Sequence, residues 1–417
     1  MTHDHACDDY GLTRRHFLRN SAALGAAGVA TQMFGDVLTA TAFGASSASN
    51  VLVVVSLRGG ADGLSMVVPH AEAAYHAARR NTALQRSQLL VADDTFGLHP
   101  AFSPLVKDWT AGRVAALHAI GMPAPNRSHF DAMEALEDAD AGSAARIGWL
   151  NRLISGLSSA PDVFDGMQIG SPILPTLMTG PAPVVATKQF GDLAGLFTDS
   201  ATTRARVHSA LKKEYSAYGQ AVGKAGLEAL VLADRANKIN KVVEAGPAAG
   251  VTYPQYSELG AALQASAGLI KSGVGVRAIA VDAGGWDHHV DLKSRVDRSV
   301  KELATCLAMF MKDLGTHAGR VTIVTISEFG RRLQENGSYG VDHGYGNAMM
   351  VMGAGVKGGK YYGRWPGLSA GSQVDGDLAV TTDYRSVLSE ILRARFSSVD
   401  VSKVFPGAKD SPLGFIA

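Results

Sequence analysis

The chain has 417 residues, a formal net charge of +1, and 46% apolar against 18% charged residues. That balance suits a globular protein with an ample core and carries no basic stripe, so no nucleic-acid partner is expected. Of the two cysteines, Cys7 lies in the leader described next and Cys306 stands alone, which excludes an intramolecular disulfide.

The leader contains Thr13-Arg14-Arg15-His16-Phe17-Leu18, followed by an Ala/Gly-rich run from Ser21 to Ala30. Paired arginines ahead of a short, moderately apolar run read as a twin-arginine export signal. Small residues at Ala40, Ala42, Ala45 and Ala48 offer cleavage positions. Residues 1–45 are therefore expected to be a signal peptide and 46–417 the mature domain, periplasmic or secreted. The twin-arginine translocase is the expected partner during export. No later stretch is long and apolar enough for a membrane span.

In chain order, Val51–Leu57, Val114–Ile120, Val276–Val281, Val321–Ile326 and Ala348–Met352 are apolar runs without polar alternation. Such runs read as strands of a parallel sheet buried on both faces. Between and after them, Leu292–Leu314 and Asp383–Phe396 show helical spacing, the latter opening on an acidic residue. Thr202–Leu269 is rich in Ala, Lys, Glu and Gln and predicts one or two long helices broken near Gly246-Pro247. The expected fold is α/β, a mostly parallel sheet with helices on both faces and a helical insertion at about 200–270.

Ligands of open α/β sheets gather at the carboxyl ends of the strands. The first run is followed by Arg58-Gly59-Gly60-Ala61-Asp62-Gly63, which is not a Walker loop because no Gly-Lys-Ser/Thr follows. The second is followed by Arg127-Ser128-His129-Phe130-Asp131. There Ser128 can be a nucleophile, a metal ligand or the cap of a helix starting near Phe130. The third leads into Asp282-Ala283-Gly284-Gly285-Trp286-Asp287-His288-His289, a dense supply of carboxylate oxygen and imidazole nitrogen for a borderline metal. The fourth leads into Ser327-Glu328-Phe329-Gly330-Arg331-Arg332, where Glu328 is a ligand or the ion-pair partner of a following arginine. Asp342-His343-Gly344 precedes the last run, as a ligand site or a simple turn.

If these strands share a sheet, Asp62, Asp287, His289, Glu328 and His343 meet at one edge. Divalent cations would relieve the repulsion among the carboxylates. Bound ions could activate Ser128 or a water against an ester, with Arg58 and Arg127 on the outer oxygens of the anion.

The motifs Leu57-Arg58-Gly59-Gly60-Ala61-Asp62-Gly63-Leu64, Arg127-Ser128-His129-Phe130, Gly284-Gly285-Trp286-Asp287-His288-His289, Ser327-Glu328-Phe329-Gly330-Arg331, Asp342-His343-Gly344 and Thr382-Asp383-Tyr384-Arg385 accompany the leader. Together they resemble the bacterial family catalogued as domain of unknown function 1501, grouped with the alkaline phosphatase and sulfatase superfamily. The resemblance covers nearly all of the mature chain. It implies a two-metal site at the strands' carboxyl ends, in which Asp62, Asp287, His289 and His343 resemble ligands and Glu328 stands where an Asp ligand ends a later strand. Ser128 falls where the nucleophile lies in chain order. Glu328-Phe329 replaces an Asp-His often found there, and the Asp287-His289 spacing is shorter than usual.

The expected function is hydrolysis of a small anionic phosphate or sulfate ester with divalent zinc, manganese, magnesium or calcium. The alternative is a non-catalytic, metal-containing cell-envelope binding protein. A dinucleotide-dependent oxidoreductase lacks its glycine spacing here.

Overall fold

The computed structural model describes residues 49–417 apart from 125, 141, 142, 144, 195–200, 218, 219 and 410. The expected twin-arginine signal, residues 1–45, lies outside the described residues.

The sheet is built from β1 (Val51–Leu57), β2 (Val114–Gly121), β3 (Gly166–Ile169), β4 (Val185–Thr187), β5 (Ala278–Ala283), β6 (Val321–Ile326), β7 (Asn347–Gly353), β8 (Lys360–Tyr362) and β9 (Thr382–Asp383). Its nine strands run in the order β8-β2-β7-β6-β1-β5-β3-β4, with β9 also paired to β2. β1 lies at the centre, parallel to β5 and β6, and every one of its residues is buried. This is why Val51–Leu57 carries no polar alternation: both faces are covered.

The two faces separate by residue parity. Val51, Val53, Val55 and Leu57 pack in one core cluster with helices α5 (Glu258–Lys271) and α6 (Leu292–Leu314). Leu52 and Val54 pack in the other, with α1 (His129–Asp138), α2 (Trp149–Leu157) and α7 (Tyr384–Arg395). The result is a sheet between two helical layers. Asp383 caps α7 by accepting from the Arg385 amide, as its position ahead of an amphipathic run leads one to expect.

One strand departs from the parallel reading. β7 pairs antiparallel with both β6 and β2. No crossover helix separates β6 from β7. The chain instead forms a small antiparallel pair, Arg331–Glu335 with Val341–His343, and turns straight back. An apolar run records burial but not direction, so the reversal is invisible to periodicity. It has a consequence for the site: residues just before β7 share an edge with residues just after β6.

In the 200–270 region, α3 (Ala201–Ala217) and α4 (Gln220–Glu244) contact each other around Leu230 and Ala233, while Ile239 on α4 reaches the main core. The chain leaves helix between Glu244 and Glu258, bracketing Gly246-Pro247. The following helix α5 belongs to the sheet itself, burying Leu259, Leu263, Leu269 and Ile270. Among the described residues no helix is long and apolar enough to cross a membrane, and Cys306 is a buried free thiol.

Candidate metal centre

Four loops meet at the carboxyl edge of β1, β2, β5 and β6. Glycine permits the closest approach. Gly59 has φ of 115°, and a Cβ there would lie 2.7 Å from the Asp287 amide nitrogen. At Gly340 a Cβ would lie 2.0 Å from the His289 carbonyl oxygen. A side chain at either position would push apart the loops that carry Asp287 and His289.

His129, Asp287 and His343 form a group that could hold a metal ion, their ligand atoms all lying within 4.8 Å of one another. The hydrogen-bond partners settle the tautomers. His343 Nδ1 lies 2.8 Å from the Arg127 carbonyl oxygen, which can only accept, so this nitrogen carries the proton. His289 Nδ1 is 2.8 Å from Asp342 Oδ1, and His129 Nδ1 is 2.9 Å from Glu328 Oε1. Ionised carboxylates also only accept. All three rings are thereby fixed with Nδ1 protonated and, when neutral, with a lone pair on Nε2; that of His289 also faces Arg331 Nη1 at 3.5 Å.

Those lone pairs converge on one carboxylate. His289 Nε2 is 3.0 Å from His343 Nε2 and 2.9 Å from Asp287 Oδ1. His343 Nε2 is 3.4 Å from the same oxygen, and His129 Nε2 is 3.7 Å from Asp287 Oδ2. Acceptors facing one another at such separations repel unless a proton or cation lies among them. Imidazoles whose far nitrogen is anchored to a carboxylate or carbonyl are the usual form of histidine at a metal. The residues present therefore fit a cation.

Arg331 organises the centre from beneath. Its guanidinium is fully buried and donates to the carbonyls of Gly59, Gly60 (2.6 Å), Trp286 (3.3 Å) and Val341 (2.9 Å) and to Asp287 Oδ1 (2.5 Å). Partial burial alone would raise the Asp287 pKa. The hydrogen bond and charge of Arg331, helped by His289 and His343, outweigh it and hold the carboxyl below the usual carboxylate range. Burial lowers the His343 pKa, opposed by the hydrogen bond to the Arg127 carbonyl and reinforced by the nearby Arg331 and His129. The hydrogen bond from His289 is the main cause that holds Asp342 low.

The expected residues divide as follows. Asp287, His289 and His343 come together. Glu328 is beside them, but its Oε1 accepts from the Gly59 amide (2.8 Å) and from His129, making it the anchor of an imidazole. Neither following arginine pairs with it. Asp62 is set apart: it is fully buried in a two-point ion pair with Arg79 (2.5 and 2.9 Å) and accepts from Ser65 (2.5 Å). Both of its oxygens are engaged there. Ser128 is the N-cap of α1, accepting from the Asp131 amide at 3.4 Å. The Arg127 guanidinium pairs with Asp377 and stacks on Tyr345, so the contribution of Arg127 to the cluster is its carbonyl. Arg58 is held by Asp282 (2.8 Å) and Glu137 (2.7 Å).

His129 is the residue that sequence reasoning passed over in favour of its neighbour Ser128. The available signal was an imidazole at the carboxyl end of a buried strand. Phe329 also gains a role: it packs against the rings of His129 and His343, with centroids at 4.9 and 4.6 Å, and is buried.

A cavity of about 750 Å³ opens beside the cluster, lined by His129, Asp287, Glu328, Arg58, Gly59 and Thr176 and by Phe130, Met133, Glu134 and Glu137 of α1.

The family model described as protein of unknown function (DUF1501) matches residues 94–385. The chain belongs to this family. The matched DUF1501 region contains His129, Asp287, His289, Glu328 and His343, whereas Arg58 and Asp62 precede it. No curated protein matches the sequence.

Proposed function

We propose that this DUF1501 protein is an exported, metal-dependent hydrolase of phosphate or sulfate esters. It would hold one divalent ion on His129, Asp287, His289 and His343. The observation that carries the reading is the convergence of three Nε2 atoms and one carboxylate beside a cavity that His129 and Asp287 line. Three nitrogen donors and one oxygen suit zinc or a similar borderline ion better than magnesium or calcium. When bound, such an ion supplies Lewis acidity to an outer oxygen of the ester.

The chain's own residues would do the rest. Ser128 stands next to His129 at the N-terminus of a ten-residue helix, where the helix dipole favours negative charge developing on Oγ. Attack by Oγ on phosphorus or sulfur would release the alcohol, and water would then free the serine. Arg58, oriented by its two carboxylates, lines the cavity. Asp342, Glu328 and the Arg127 carbonyl hold the three imidazoles in the ligating tautomer.

The test is hydrolysis of p-nitrophenyl phosphate and p-nitrophenyl sulfate by the exported protein loaded with zinc or manganese, beside Ser128→Ala. The variant should lose on the order of a hundredfold or more in kcat while keeping its metal. Full activity in the variant would overturn the role given to Ser128. One observation favours the alternative, a metal-containing binding protein of the cell envelope: the Ser128 hydroxyl already serves as a helix cap. Metal retention without turnover of any ester would support that reading.

A further inference from the structure

One stripe of α1, the helix that begins at His129, lines the cavity. Phe130, Met133, Glu134 and Glu137 are spaced i, i+3, i+4 and i+7, the spacing of a single helix face, and all four line the cavity. A stripe with that spacing usually packs into a core. Here Phe130 is 88% exposed and sits one residue beyond the proposed ligand His129.

The charge on this wall is negative. Glu137 is spent on Arg58 and on the Leu177 amide, 3.2 Å away. Among the described residues Glu134 pairs with Arg146, whose side chain is 60% exposed. A pair that open to water contributes little and is readily exchanged for another cation. The cavity thus presents an exposed aromatic face, a thioether and an exchangeable carboxylate along the helix that begins at His129. An aromatic face beside a carboxylate is the chemistry that binds an organic ammonium.

We propose that this stripe is the subsite for the alcohol portion of the ester, and that it takes a compact alkylammonium group. Phe130 supplies the ring face, Met133 the apolar floor and Glu134 the counter-charge. The inference rests on the hydrolase reading for the ester end of the ligand, while the subsite itself binds without turnover. In the hydrolysed ester the bond between phosphorus and the alcohol oxygen breaks. Water supplies hydroxyl to phosphorus and a proton to the alcohol.

The experiment compares phosphocholine with 3,3-dimethylbutyl phosphate, its neutral carbon isostere, by titration calorimetry on the full exported protein loaded with zinc. Phosphocholine should bind about three- to thirtyfold more tightly. Phe130→Ala and Glu134→Gln should each erase most of that preference while metal content stays unchanged. Equal binding of the two probes, no binding of either, or a preference that survives both substitutions would overturn the proposal. Turnover measured alongside separates the two ideas. A binding preference without cleavage of either ester leaves the subsite standing and removes the hydrolase. Cleavage of both at equal efficiency and equal affinity leaves the hydrolase standing and removes the subsite.

Discussion

Replacing Arg79 by Met should destabilise the fold by about 3–5 kcal/mol. Arg79 and Asp62 are both fully buried, and each satisfies the other at two points. Arg79 also donates to the carbonyls of Leu333 (3.0 Å) and Arg332 (2.9 Å), tying the loop after β1 to the Arg331–Glu335 strand. Removing the cation leaves a carboxylate stranded in a site closed to water. The double variant Asp62→Leu/Arg79→Met should recover most of the loss, because breaking a buried pair costs more than replacing it with apolar side chains. Chemical denaturation of the three proteins measures this. Burial alone would push the Asp62 carboxyl up, but the charge and hydrogen bonds of Arg79 outweigh it and the pKa is lowered. A lowered folded-state pKa contributes stability that is fully present above the unfolded value of about 3.9 and is lost as pH falls through the folded value. The wild type should therefore lose stability below about pH 4 more steeply than the double variant. The double variant should also keep its full metal content, since Asp62 lies apart from the imidazoles.

Arg331→Met should cost at least about 3 kcal/mol, because several buried carbonyls lose their donor together. The guanidinium ties the loop after β1 (Gly59, Gly60) to the loop after β5 (Trp286, Asp287) and to Val341 of the antiparallel pair. Arg331→Lys should recover less than half of this. An ammonium group cannot reach the same acceptors that a planar five-donor fork reaches. Hydrogen exchange should show faster opening of residues 58–62 and 284–291 in both variants, with α7 on the far layer little changed. A Lys variant as stable as wild type would show that charge alone matters at this position.

Much of the scaffold was legible because the core strands are continuous apolar runs, and burial on both faces leaves that imprint directly. The helix Leu292–Leu314 was readable to the residue from its spacing. Four strands of the main sheet went unread. Gly166–Ile169, Val185–Thr187, Lys360–Tyr362 and Thr382–Asp383 are each four residues or fewer, too short to establish a period. The edge on which the candidate ligands gather was also readable, since it follows from strand direction. The division of labour at that edge was not. Asp62 and Asp287 look alike in sequence, each following a buried strand and a glycine pair. They differ through Arg79 and Arg331, and sequence spacing does not reveal which arginine folds back onto which carboxylate. Glu328, expected as a ligand, instead anchors His129, which carried no expected role: a carboxylate that anchors an imidazole and one that ligates carry the same local signature.

The most direct measurement is the metal content of the purified protein by inductively coupled plasma mass spectrometry, alongside Asp287→Ala and His343→Ala. The expected result is about one divalent ion per chain in the wild type, as a single set of N and O donors would hold, and loss of it in both variants while circular dichroism still reports a folded chain. Wild-type protein that takes up no ion when offered zinc or manganese, or variants that retain as much as the wild type, would contradict the metal centre and the hydrolase built on it.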